Sequence, residues 1–304
     1  MDVLDVRSPV AEAMAHGKAV VALESTAISH GLPWPHNIET ASAMQQAIRE
    51  ERAVPAVIGI SAGRICVGLT DAELERFAKN EDIEKASRRD LAALLTQRCD
   101  GATTVAGTLT CAAMANIDIF ATGGIGGVHR GAETTLDISA DLTALGRYQL
   151  AVVCSGAKSI LDLPKTLEVL ETEGVTVVGY QTDSFPAFHC RDSGLAVDYR
   201  VDTPEQAAKL IAANRQICGA ACVLIVNPVP IDAALGLTQV ERWIAQALTE
   251  AEAEGVSGKD VTPFLLERLS VLSKGKTLRA NKSLLRDNAQ VAAQIAVALA
   301  GLES

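Results

Sequence analysis

The chain has 304 residues, and its 27 Lys and Arg against 37 Asp and Glu give a net charge of −10, so it lacks the basic excess that neutralises nucleic-acid phosphates. Apolar residues at 48% and charged ones at 21% describe a globular chain and exclude a disordered or fibrous one. Aromatics at only 3% leave Ala, Val, Leu and Ile to fill the interior, which suits helices packed on a parallel sheet better than an all-β sandwich.

The first residues, MDVLD, carry neither the basic region nor the apolar run of a secretory signal, and a cytoplasmic protein is expected. Ser8-Pro9 and Gly17 bracket a helix by the usual cap asymmetry. Residues 18–23 then read as a short buried strand. Residues 57–60 and 64–69 flank Ser61-Ala62-Gly63 as a hairpin. Thr70 with Glu73 forms a capping box for the next helix. Further strands are expected at 119–122, 150–154, 175–179 and 221–226. Helices are expected at 87–98, 159–173 and 203–214, the last opened by Thr203-Pro204 with Gln206 at the third helical position. From Thr238 the chain reads as mainly helical.

The longest apolar stretch, residues 217–226, is about half of the ~20 residues that span a bilayer, so no membrane segment is expected. The seven cysteines sit in apolar surroundings and read as reduced thiols. Cys218 and Cys222 are too far apart for a CxxC pair. With no linker, low-complexity tract or repeat, one α/β domain over residues 1–304 with a helical C-terminal portion is expected. In such sheets chemistry sits in loops after the carboxyl ends of strands.

Two glycine-rich segments fail the motifs they suggest. Gly124-Ile125-Gly126-Gly127-Val128-His129 puts histidine where a dinucleotide fingerprint needs its third glycine. In Gly156-Ala157-Lys158-Ser159 an alanine separates glycine from lysine, unlike a P-loop. There is no GxSxG elbow and no HExxH helix.

Four features point to chemistry. The stretch 121–141, ATGGIGGVHRGAETTLDISAD, combines glycines that admit a ligand close to the backbone with Ser139 placed to cap a helix whose N-terminus suits phosphate. Within it Asp137 offers a hard oxygen of the kind Mg or Mn accepts, water and substrate completing the shell. Lys158 follows a buried strand with no other charge between Gln149 and Leu161; desolvation there favours the neutral amine, the form that attacks carbonyl-like carbons. Glu24, between a buried strand and Ser25-Thr26, reads either as a backbone cap or as an acid–base group. Lys85, before a helix start, reads either as surface or as phosphate-binding.

Together the segments ALESTAISHGLPWPHN (22–37), KASRRDL (85–91), GATTVAGTL (101–109), FATGGIGGVHRGAETTLDISADL (120–142), the long run 152–188, NPVP (227–230) and the tail around Asn281 resemble the pseudouridine-5′-phosphate glycosidases, also called the indigoidine-synthase-A-like family. The resemblance implies a three-layer α/β/α sandwich with a mostly parallel mixed sheet, assembled as a homotrimer. It implies a cytoplasmic enzyme of nucleotide catabolism, classed as a carbon–oxygen hydro-lyase, that reversibly cleaves pseudouridine 5′-phosphate to uracil and ribose 5-phosphate with one divalent ion per subunit, usually Mn2+. By the same resemblance Lys158 is the nucleophile, Glu24 the proton donor and Asp137 the metal ligand. Lys85, Val105, Ser139, Ala140 and Asp141 are substrate contacts, and His129 and Asn281 are further pocket residues.

The bond at issue joins two carbons, and the leaving carbon has no lone pair to protonate, unlike the leaving oxygen of an ordinary glycosidase. A lysine that attacks C1′, opens the ribose ring and forms an iminium answers that difficulty. The same intermediate serves a C-glycosynthase joining ribose 5-phosphate to another aromatic aglycone. A non-catalytic sugar-phosphate sensor would need the pocket without Lys158, Glu24 and Asp137.

Overall fold

A computed structural model describes residues 3–80, 82–256 and 261–302. The runs VVALE, VPAVIGIS, AVVC and VLIV are apolar almost throughout, the pattern of strands covered on both faces. Among the described residues eleven strands form one sheet: β1 (Leu4–Val6), β2 (Val20–Glu24), β3 (Val54–Ser61), β4 (Arg64–Val67), β5 (Glu84–Ala86), β6 (Gly101–Thr103), β7 (Ile119–Ala121), β8 (Ala151–Cys154), β9 (Thr176–Tyr180), β10 (Tyr199–Val201) and β11 (Val223–Val226). Their order is β1-β4-β3-β2-β7-β8-β11-β9-β10, with β6 beside β3 and β5 beside β6. Every pair is parallel except β3 with β4 and β3 with β6.

Side chains alternate between two cores, one on each face. Val20, Ala22, Ile58, Val152, Cys154, Leu224 and Val226 enter the first, whereas Val21, Leu23, Val57, Ala151, Val153, Val223 and Ile225 enter the second. Helices Val105–Met114 and Leu237–Ala253 cover the first face. Helices His36–Glu50, Pro204–Cys218 and Lys276–Leu302 cover the second. The expected three-layer α/β/α sandwich with a mostly parallel mixed sheet and a helical C-terminal portion is therefore the fold observed.

Local signals mostly hold. Ser8–Ala15 is helical with Pro at its first turn, Thr70 and Glu73 close a reciprocal capping box, and Ala62 and Gly63, at φ 50 and φ 75, make the tight turn between antiparallel β3 and β4. Thr203 accepts from the Gln206 amide, but the Gln206 side chain accepts from Asp202 N, one residue earlier than a capping box requires. The helix expected from residue 159 starts at Leu163, where Asp162 caps the Lys165 amide and Pro164 fits the first turn. Lys158 and Ser159 consequently lie in a loop. The helix expected from residue 87 starts at Leu91, because Asp90 accepts from Ser87 N and closes a turn first.

Two of the longer helices escape sequence reading, as do the short helical segments Ala27–Gly31 and Ala132–Thr135. His36–Glu50 has no side-chain cap. Val105–Met114 is buried on nearly every side and shows no apolar stripe. Among the described residues no helix is long and apolar enough to cross a membrane. Cys66, Cys111, Cys154, Cys190 and Cys222 are buried free thiols and Cys99 is half-buried; the side chain of Cys218 lies outside the described residues, as do Met1 and Asp2. Burial pushes the Cys111, Cys154 and Cys222 thiols up to about 12.

Candidate active site

Parallel pairing of β2, β7 and β8 brings their carboxyl ends together. Glu24 is the last residue of β2, Thr122 follows β7, and Lys158 stands four residues beyond β8. The Thr122 hydroxyl donates to the Glu24 carboxylate. Burial pushes the Glu24 carboxyl above the ordinary range; the Lys158 ammonium, the Thr122 hydroxyl and Lys85 hold it down, and Asp141 adds to the rise. Glu24 is thus biased toward its protonated form, with Lys158 and Lys85 restraining the rise.

The glycine-rich loop locks onto the lysine loop through its backbone. Ile125 N donates to Gly156 O at 3.1 Å and Lys158 N to Ile125 O at 3.1 Å. Gly156 adopts φ 75, and a Cβ there would lie 2.1 Å from Pro186 O, so only glycine fits. A Cβ on Gly126 would meet the Ser139 hydroxyl at 2.2 Å and the Asp141 carboxylate at 2.7 Å. Asp141 uses both oxygens on backbone: Oδ1 accepts from Ala106 N at 2.9 Å and Oδ2 from Gly126 N at 2.8 Å. It thereby ties the N-terminus of helix Val105–Met114 to the loop. Ser139 caps the short helix Ala140–Leu145, as its sequence position suggests.

His129 Nδ1 lies 3.7 Å from Asp137 Oδ2. Burial pushes the imidazole below its usual range; Asp137 opposes the drop, and Lys158 and Lys85 add to it. Behind the lysine loop, His189 is buried with Nδ1 3.2 Å from the Ser159 hydroxyl, and burial lowers its pKa to about 3, so it stays neutral.

These groups wall a cavity of about 850 Å³. Glu24, Lys85, Val105, His129, Asp137, Ser139, Ala140, Asp141, Lys158 and Asn281 all line it, so the structure brings every expected site residue to one place. Its charge differs from that of the whole protein: Lys85, Arg88, Arg89 and Lys158 stand against Glu24, Asp137 and Asp141, although the chain carries −10 overall.

The profile of a family described as indigoidine synthase A like protein matches residues 9–298. The chain belongs to that family. Among relatives, a pseudouridine-5′-phosphate glycosidase of Symbiobacterium thermophilum is 54% identical over 294 residues, covering 95% of this chain and 96% of the relative. One of Caldanaerobacter subterraneus is 51% identical over 296 residues, 97% and 96% of the two chains. Among solved structures, the prealnumycin C-glycosynthase AlnA in complex with ribulose 5-phosphate superposes with a TM-score of 0.92 at 42% identity, covering 100% of this chain and 99% of that one. An indigoidine synthase A-like protein of Thermotoga maritima superposes at 0.89 with 35% identity, covering 98% and 97%.

In this indigoidine-synthase-A-like chain Asp137 is the carboxylate to weigh as a donor to a divalent ion. Among the described residues no group of three or more His, Cys, Asp or Glu converges as a protein-built cage. Asp137 presents a carboxylate 44% exposed at the cavity wall, which fits an ion of the magnesium–manganese type, bound through one carboxylate with water and substrate oxygen in the other positions. Zinc would ask for several nitrogen or sulfur ligands.

Other residues lining the cavity went unassigned from sequence. Arg88 and Arg89 follow Lys85 on the rim, and His30, Phe188 and Leu285 are among the further wall residues. Thr122 read only as the end of a strand; its value as the Glu24 partner depends on strand register. Asn288 shares the buried face of helix Lys276–Leu302 with Thr277 and Asn281, and no local signal sets it apart.

Proposed function

We propose that the protein cleaves the C–C glycosidic bond of pseudouridine 5′-phosphate, giving uracil and ribose 5-phosphate. The observation that carries this reading is the convergence of Lys158, Glu24 and Asp137 on one cavity whose rim is positive in an acidic protein. Relatives at about half identity over nearly their whole length are named for that activity, which supports it.

The lysine nitrogen bonds C1′ as the C1′–O4′ bond breaks, and O4′ takes a proton from Glu24. Glu24, now ionised, takes a proton from the alkylated nitrogen; the freed lone pair forms C=N while the C1′–C5 electrons pass to the uracil ring, and Glu24 returns that proton to C5. Water adds to the iminium and frees ribose 5-phosphate with Lys158 regenerated. Run backward the sequence expels water, which accords with classification as a hydro-lyase. Lys85, Arg88 and Arg89 supply charge for the phosphate, and His129, pushed toward neutrality, offers a hydrogen bond. Asp137 would hold the divalent ion, manganese by family resemblance; when bound, such an ion supplies positive charge to phosphate and ribose oxygens. The reading includes a homotrimer acting in the cytoplasm, the latter supported by the free thiols.

A second reading, a C-glycosynthase that runs the same chemistry toward a different aromatic aglycone, draws on the likeness to AlnA. Incubating the protein with pseudouridine 5′-phosphate and manganese, then trapping with borohydride and weighing it, separates the two. Uracil release, loss of release on chelation, and a ribose-phosphate adduct on the Lys158 peptide are expected, with Lys158→Ala losing turnover and adduct. An adduct from ribose 5-phosphate without uracil release from the nucleotide would favour the second reading. Substantial turnover by Lys158→Ala would sink the lysine mechanism.

A further inference from the structure

We infer that Asn288 is a positioning residue that holds the acid and the nucleophile in one geometry, a role that rests on the reaction proposed above. Asn288 lies on helix Lys276–Leu302, fully buried against the carboxyl ends of β7, β8 and β11. Its Nδ2 donates to Thr122 O at 2.9 Å and to the Ser155 hydroxyl at 3.1 Å, with Gly123 O at 3.4 Å. Its Oδ1 accepts from Asn227 Nδ2 at 3.0 Å. Asn227 spends its other hydrogen on the Asp287 carboxylate at 2.7 Å, which accounts for the asparagine of the NPVP segment. The two carbonyls facing Nδ2 fix which way the amide points.

The contacts to Thr122 and Ser155 each lead to a reacting group. Thr122 is held by its carbonyl and in turn gives its hydroxyl to Glu24. Ser155 opens the four-residue segment that ends at Lys158, and its amide donates to Gly123 O at 2.8 Å. A helix that merely covers a sheet needs no polar residue there: asparagine is a poor helix former and its buried amide is costly unless every bond is made. Here every bond is made, between the two segments that carry Glu24's partner and Lys158. The charges facing Glu24 are Lys158, Asp141 and Lys85. Loosening Thr122 weakens the one hydroxyl that favours the ionised form.

The test compares Asn288→Ser, which cannot reach Thr122 and Ser155 together, with Ile295→Val, an equally buried change on the same helix. With pseudouridine 5′-phosphate and manganese, Asn288→Ser should lose at least about tenfold in kcat with KM within about twofold, the signature of misplaced reacting groups. The basic limb of its pH profile should move upward. Ile295→Val should lower the melting temperature and leave kcat and the limb in place. Ser155→Ala, a smaller deletion, carries the same comparison if Asn288→Ser does not melt cooperatively. Wild-type kcat and an unmoved limb in a folded Asn288→Ser protein overturn the inference. Carboxyl 13C NMR titration of Glu24 reads the same geometry without turnover: an upward displacement in Asn288→Ser supports the inference and an unchanged titration overturns it. Absence of uracil release by the wild type would overturn the reaction instead.

Discussion

Glu24 is the residue at which environment decides chemistry. Burial raises its pKa, and the nearby Lys158, Thr122 and Lys85 restrain that rise. A proton donor works only while protonated, so turnover should persist to higher pH than an ordinary carboxylic acid allows and fall as pH rises through the Glu24 pKa. Glu24→Gln should lower kcat/KM for uracil release by about 10²–10⁴-fold, the usual worth of a positioned acid, and remove that basic limb. A Glu24→Gln protein that keeps the limb would assign it to another group. The carboxylate and the lysine were visible in the sequence as isolated charges beside buried strands. Whether Glu24 caps backbone or moves protons was not, because the answer depends on Thr122 and Lys158, 98 and 134 positions away.

At the scale of elements, loops built on strand ends need bracing, and Asp141 provides it. Its two oxygens take amides from helix Val105–Met114 and from the glycine loop. Asp141→Asn keeps the shape but turns one acceptor into a donor facing a backbone N–H. The expected cost is about 1–3 kcal/mol of stability, the penalty for an unmet buried group, together with lower kcat as the Gly126 segment shifts. Denaturant unfolding and steady-state kinetics measure both, and an unchanged midpoint would show that the amides find other partners. Family resemblance makes Asp141 a substrate contact, and nothing local in the sequence announces its two backbone donors from distant segments. The neighbouring cap at Ser139 was legible because capping is a local rule. Val105–Met114 was missed although Thr104 caps it, because a helix buried on nearly every side has little periodicity to read.

At the scale of the whole molecule, helix Lys276–Leu302 joins fold to function. It packs on helices His36–Glu50 and Pro204–Cys218 and across β2, β7 and β8, and it delivers Asn281 to the cavity and Asn288 beneath it. Leu284, Leu285, Val291, Ile295 and Leu299 on this helix are buried. At about 1.5–3 kcal/mol for each such side chain, removing them forfeits on the order of 10 kcal/mol, comparable to the entire stability of a typical domain. A chain ending at residue 275 should therefore lose more than its pocket. It should show no cooperative thermal transition and no near-ultraviolet circular dichroism of a packed core, and it should not bind ribose 5-phosphate. A truncated chain that melts cooperatively near the temperature of the full protein would mean that the two cores close without this helix, and that its asparagines were added to a sheet already complete.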